Sequence, residues 1–139
     1  MFDVPVYTSP KVNDCAATCL KMIADYYDVE VGTIADLAKE LNTRLIGCTA
    51  LDLKNVAISH GMNFKAFNME AEELYSETKP AIIWWKYKHF VVFCGMNDKD
   101  EPVIINPDRG RFSLDKGSFE SMYTKVAIFN GPFENLQEE

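Results

Sequence analysis

What this 139-residue chain has little of is informative first. Its 14 Lys and Arg residues against 21 Asp and Glu leave a net charge of −7, and nowhere do the basic residues cluster. A nucleic-acid binder needs a concentrated positive patch to neutralise phosphates, so that class is set aside. An acidic surface would instead suit a cationic peptide. Long apolar runs are also missing: Ala81 to Trp85 is strand-sized and is stopped by Lys86. Crossing a bilayer as a helix takes about 20 apolar residues, so no direct membrane insertion by this chain is expected. Met1-Phe2-Asp3-Val4-Pro5 has neither the basic start nor the apolar stretch of a signal peptide. Cytoplasmic placement is the expectation, alone or as part of something larger. Four cysteines, at 15, 19, 48 and 94, are too few and too irregular for a disulfide framework. Gly95 and Gly110 belong to turns, no phosphate-cradling glycine loop occurs, and no cofactor is implied. Repeats and low-complexity segments are absent too.

What is present describes one folded domain, expected over residues 1–131 with an acidic tail over 132–139. A 47% hydrophobic and 12% aromatic composition is enough for a core. Cys15, Cys19, Leu20, Met22, Ile23, Tyr26 and Tyr27 recur at helical spacing behind Asp14, which predicts a helix from Asp14 to Tyr27 capped by the Asp14 carboxylate. Thr33 with Asp36, and Thr49 with Asp52, have the spacing of two further helix starts, the second helix ending near Gly61. Strand-like runs follow at residues 63–67, 81–85, 89–95, 103–105 and 126–129, with short helices between Glu70 and Tyr75 and between Ser113 and Tyr123. Helices first and an antiparallel sheet second make an α+β fold.

A thiol on the first turn of a helix sits at the positive end of the helix dipole, which favours thiolate, the nucleophilic form. Cysteine peptidases add a histidine within hydrogen-bond reach and a third group that holds the imidazole. His89 opens one strand-like run and Asn106 closes the next. If Gly95 to Pro102 is the hairpin connection, the start of one strand lies beside the end of the other, and the two residues become neighbours. Taken singly each has an ordinary explanation: a small core residue, a rim histidine, turn chemistry before Pro107. Together, with Cys15, they describe a thiol–imidazole–amide set. Cys15 and Cys19, four apart, with Cys48, Cys94, His60 and His89, lack the second close pair that a zinc site needs, so no metal is expected. Of Trp84, Trp85 and Tyr87, one tryptophan should face the core and the other the cleft or solvent; Trp85 and Tyr87 are the candidate substrate-binding residues. Asp108-Arg109-Gly110-Arg111 reads as a solvated turn.

The stretch Asp14-Cys15-Ala16-Ala17-Thr18-Cys19-Leu20-Lys21-Met22-Ile23 with Tyr26-Tyr27 resembles the Asp-Cys-Gly-x-x-Cys-Leu-x-Met-Ile…Tyr-Tyr signature of the bacteriocin-processing peptidases. These are papain-like domains at the N-terminus of peptide-exporting ABC transporters. The resemblance continues through His89-Phe90-Val91-Val92, Ile105-Asn106-Pro107-x-x-Gly110, Phe112-Ser113 and Phe119. It implies a papain-like cysteine peptidase fold and cleavage of a leader peptide after a double-glycine-type site. It further implies Cys15 as nucleophile, His89 as general base, Asn106 as orienting residue, and a peptide substrate with a transporter as partners. Three departures stand out. Ser9 occupies the place of the glutamine that usually helps form the oxyanion hole, and no glutamine precedes Gln137. Losing such a donor costs about 10²–10³ in rate; Ser9, Asn13 and Lys11 are the replacements at hand. Asn106 stands for the usual aspartate, and Ala16 for a glycine. The missing glutamine also motivates a second expectation, a catalytically impaired domain that holds a transport substrate without cutting it.

Overall fold

The computed structural model describes residues 1–9, 14–41 and 49–133. Helix α1 spans Cys15–Tyr26, and its spacing of Ala16, Cys19, Leu20, Met22 and Ile23 buries one side completely. The expected carboxylate cap on α1 does not form. Asp14 has φ −97° and ψ 15° and makes no side-chain cap hydrogen bond. Thr33 and Thr49 are extended instead (ψ 162° and 169°), which aims each hydroxyl back at the backbone N–H of Asp36 and Asp52. They start α2 (Ile34–Glu40) and α3 (Ala50–Ser59), the latter with the reciprocal bond from the Asp52 carboxylate that completes a capping box.

Six strands then build one antiparallel sheet: β1 (Phe64–Asn68), β2 (Ala81–Trp85), β3 (His89–Met96), β4 (Pro102–Asn106), β5 (Gly110–Ser113) and β6 (Tyr123–Asn130), in the spatial order β1-β6-β2-β3-β4-β5. Short helices α4 (Ala71–Tyr75) and α5 (Lys116–Met122) complete the α+β architecture. Strand β5 was not among the expected elements: Gly-Arg-Phe-Ser has no apolar alternation, and pairing with β4 supplies its order.

The sheet is covered on both faces, so its two middle strands run apolar through consecutive positions, Ala81–Trp85 in β2 and Phe90–Cys94 in β3. Phe90, Val92 and Cys94 of β3 join Ile82, Ile105 and Ile128 against α1, α2 and α3. Val91 and Phe93 join Ile83, Ile104, Ala127 and Phe129 in a second core around Phe119 of α5. Period-two alternation thus sends each strand into two cores. Trp85 belongs to the second. It is 6% exposed, its ring 5.2 Å from Phe119, so it is a core residue and not the cleft residue expected. Trp84 is half-buried on the α1 face, 5.0 Å from Phe90. Within the tail expected over 132–139, Phe133 packs on Phe67, beneath the Lys79 ammonium.

Two features bear on the site. Gly95 has φ +94°, and a Cβ there would come within 3.2 Å of Met1 and Phe2, so a residue without a side chain lets the N-terminal segment lie against β3. That segment donates from Phe2 N–H to the Cys94 carbonyl (2.7 Å), and the Arg111 guanidinium donates to the Val4 carbonyl. In the β2–β3 connection, Tyr87 (φ 67°) and Lys88 (φ 58°) are both left-handed immediately before His89. Each such non-glycine residue carries about 1–2 kcal/mol of strain, against about 0.5–1 kcal/mol of extra chain entropy lost by a glycine. Relief of strain outweighs entropy, so Lys88→Gly should raise the unfolding free energy by roughly 0.5–1 kcal/mol. A urea melt with an unchanged or lower midpoint would contradict this.

Candidate active site

Helix α1 carries Cys15 on its first residue, half-buried, with its axis packed across β2 and β3. Strand β3 begins at His89, and the β3–β4 hairpin brings its start beside the end of β4, as the register Val92 with Ile105 requires. His89 Nε2 lies 2.9 Å from Asn106 Oδ1. The same Oδ1 accepts the backbone N–H of Asp108 at 2.9 Å. An amide N–H is only a donor, so the Asn106 atom facing it must be the oxygen. Nε2 must then carry the ring proton and donate as well. The tautomer is thereby set, and Nδ1 is the ring nitrogen left with a lone pair for the thiol.

The Cys15 thiol is the largest of the influences that raise the His89 pKa above its ordinary value. Burial pushes the other way, while the Asn106 hydrogen bond and the charges of Cys15 and Asp108 add to the rise. A raised value means that the imidazolium form persists to higher pH, where a cationic partner for a thiolate is most needed. The arrangement can therefore pass a proton between Sγ and the imidazole while Asn106 prevents the ring from turning.

The remaining expected residues fall differently. Ser9 donates its backbone N–H to the Pro107 carbonyl (2.8 Å), and its Oγ lies 3.1 Å from Thr18 Oγ1. The Thr18 hydroxyl donates to the Asp14 carbonyl (2.8 Å), which leaves Ser9 as the donor in their shared bond. With its single proton spent on Thr18, the Ser9 hydroxyl is not an oxyanion donor in this arrangement. It joins the turn after Asn106 to the helix of Cys15 instead. Asn13 and Lys11 lie outside the described residues, as does Cys48. Tyr87 stands at the tip of the turn before His89, 86% exposed. Two residues here were not singled out from sequence. Thr18 is wholly buried at the base of the Ser9 link, and Asp108, read as part of a solvated turn, places its carboxylate 3.7 Å from His89 Nε2. Neither carries a sequence signal, because both acquire a role only through tertiary contact.

A two-core α+β domain that sets a helix-borne cysteine against a strand-borne histidine and an amide has the form of a papain-like cysteine peptidase. The chain belongs to the peptidase C39 family, whose model matches residues 3–135. It is similar to the colicin V secretion/processing ATP-binding protein CvaB of Escherichia coli, with 27% identity over 136 residues, 98% of this chain but 19% of that protein. The probable microcin-H47 secretion/processing ATP-binding protein MchF of E. coli is likewise 27% identical over 125 residues, 90% of this chain and 18% of its own length. The chain thus spans about a fifth of the length of the curated relatives it matches. Among solved structures, a double glycine motif protease from an AMS/PCAT transporter, in complex with the leader peptide, superposes with a TM-score of 0.87 at 27% identity, covering 94% of this chain and 92% of the other. The peptidase domain of Streptococcus ComA shares the fold, with a TM-score of 0.84 at 24% identity over 94% of this chain and 99% of that one.

Proposed function

We propose that this domain cleaves leader peptides of the double-glycine type from bacteriocin-like or signalling peptide precursors, with Cys15 as nucleophile, His89 as acid–base and Asn106 as orienting residue. The observation that carries the proposal is the Asn106 oxygen shared by His89 Nε2–H and Asp108 N–H, which leaves Nδ1 for Cys15.

In the reaction so proposed, Cys15 Sγ gives its proton to His89 Nδ1 and attacks the carbonyl carbon of the scissile bond. The charge that develops on the carbonyl oxygen meets the N-terminus of α1, whose first-turn N–H groups the Asp14 side chain does not cap. The imidazolium hands its proton to the leaving amine as the C–N bond breaks, leaving a thioester on Cys15. Water then attacks the thioester, giving a proton to His89 and a hydroxyl to the leader. The C–S bond breaks, and the departing Cys15 thiolate takes that proton back from His89. No step needs a metal or cofactor. Cys15 and His89 are both in place, which favours cleavage over the holding-only expectation.

The peptidase domain proposed is residues 1–131, with 132–139 as its tail. Because the similar E. coli proteins are secretion/processing ATP-binding proteins, we infer that the domain works with an ABC transporter at the cytoplasmic face of a membrane. Among the described residues no helix is long and apolar enough to cross one. The direct test is to incubate the protein with synthetic precursors ending their leaders in Gly-Gly and to weigh the products. Two fragments summing to precursor plus one water support hydrolysis. Intact precursor at all enzyme concentrations would reject it, and a product joined to an added amine would mean acyl transfer instead.

A further inference from the structure

The turn Pro107-Asp108-Arg109 connects β4 to β5 and brings Asp108 beside His89. Its conformation is pinned: Asp108 N–H and Arg109 N–H both return to Asn106, to the side-chain oxygen (2.9 Å) and the main-chain carbonyl (2.9 Å). The result is that the Asp108 carboxylate lies 3.7 Å from His89 Nε2, the ring nitrogen that also faces Asn106. Asn106 is neutral. It can fix the tautomer, but it offers no charge to balance an imidazolium once the ring accepts the thiol proton. Asp108 does offer one.

We propose that Asp108 is a positioning residue for His89, an exposed carboxylate held beside Nε2 that stabilises the imidazolium while Asn106 holds the tautomer. The division of labour separates two tasks that a single buried carboxylate performs in other peptidases: hydrogen-bonded orientation, done by the amide, and charge balance, done two residues later. Other charges around the ring do not replace it. From α1 the ring faces Cys15, and Asp14 is buried next to it in the chain. From the β2–β3 turn come Lys86 and Lys88, both exposed and of the wrong sign. Arg109, the neighbour of Asp108, is turned onto the ring of Phe112, 4.5 Å from its centroid. Because the Asp108 side chain is 58% exposed, its influence must be screened by salt, unlike a hydrogen bond. The direction of the His89 shift, upward with an Asp108 contribution, agrees with the geometry.

The inference rests on the peptidase reading for its purpose but not for its test. The chain has two histidines, and the other, His60, pairs with Glu40 at 2.8 Å in a different part of the fold, so it serves as an internal reference. The ring Cε1–H signals of both should be titrated by NMR in the wild type, Asp108→Asn and Asp108→Glu, at low ionic strength and again at about 1 M salt, where the screening length is about 3 Å. Asp108→Asn should lower the His89 midpoint and leave His60 alone. Asp108→Glu should keep most of the wild-type value, and high salt should close most of the gap between wild type and Asp108→Asn. If leader cleavage is measured alongside, the alkaline limb of its kcat/KM profile should move to lower pH in Asp108→Asn. An identical His89 midpoint in wild type and Asp108→Asn overturns the proposal, and so does a difference that salt leaves intact. Failure to cleave any precursor, with the titration behaving as expected, would remove the peptidase reading and leave the Asp108–His89 pairing standing.

Discussion

Cys15→Ala should give a folded protein that no longer cleaves leader peptides, with a loss on the order of 10⁶-fold, the scale seen when a nucleophile is removed from a triad whose members act as a unit. His89→Ala should fall nearly as far, and the double variant scarcely further, because neither group does its work without the other. A second signature accompanies the first. The Cys15 thiol is the largest of the influences holding the His89 pKa up. Take the thiol away, and the downward push of burial is opposed only by Asn106 and Asp108, so His89 should titrate at lower pH in Cys15→Ala than in the wild type. A single-turnover assay with excess enzyme, together with an NMR titration of His89, reads both. Cleavage that survives Cys15→Ala would end the thiol mechanism. An unmoved His89 midpoint would show that thiol and ring are not in contact in solution.

The second large effect concerns stability. Phe119 is wholly buried on α5, and its ring lies within 5.2–6.1 Å of the rings of Tyr75, Trp85, Phe93 and Tyr123. Four aromatic neighbours cannot all close on the space a benzyl group leaves. Phe119→Ala should therefore cost about 3–5 kcal/mol. Set against a typical total of about 5–15 kcal/mol, that is a large share. For a domain of this size it lowers Tm on the order of 10–20 °C. Phe119 belongs to the core on the face of the sheet opposite α1, so well below its new Tm the variant should retain the wild-type kcat/KM. The checks are a urea melt and a cleavage assay at low temperature. A loss of under about 1 kcal/mol would mean that α5 is only loosely seated, since small costs belong to sites that collapse onto the gap.

Local and periodic features were legible in the chain before its structure was. Alternation and turn residues place β1 to β4, and threonine three residues before aspartate locates the starts of α2 and α3, since those signals act within one turn of backbone. Pairing His89 with Asn106 followed from hairpin geometry alone. Bringing Cys15 to them did not: that depends on how α1 docks across β3, and only the family resemblance supplied it. Trp85 was misplaced because alternation says that adjacent residues face opposite ways, not what covers each face. Its cover, α5, arrives some thirty residues later. Asp14 is the right residue type for a cap but takes up the wrong ψ, with Thr18 holding its carbonyl. Ser9 and Asp108 look like ordinary loop residues, and their roles are created by what the sheet brings next to them.

The strand order has a bearing on how the molecule comes into being. Every residue proposed for the chemistry has been synthesised by Asn106, yet β6, at 123–130, runs between β1 and β2 and is β1's partner in the sheet. Phe64 meets Asn130, 66 positions further along the chain. Contacts of such long range are slow to form, because a large loop must close before any of them is made. A ribosome-bound chain that already displays Cys15, His89 and Asn106 consequently still has an open seam through its sheet. Maturation to a working thiol should wait for the last strand to slide into place, so that the nascent chain stays silent towards peptides until its synthesis has passed residue 130.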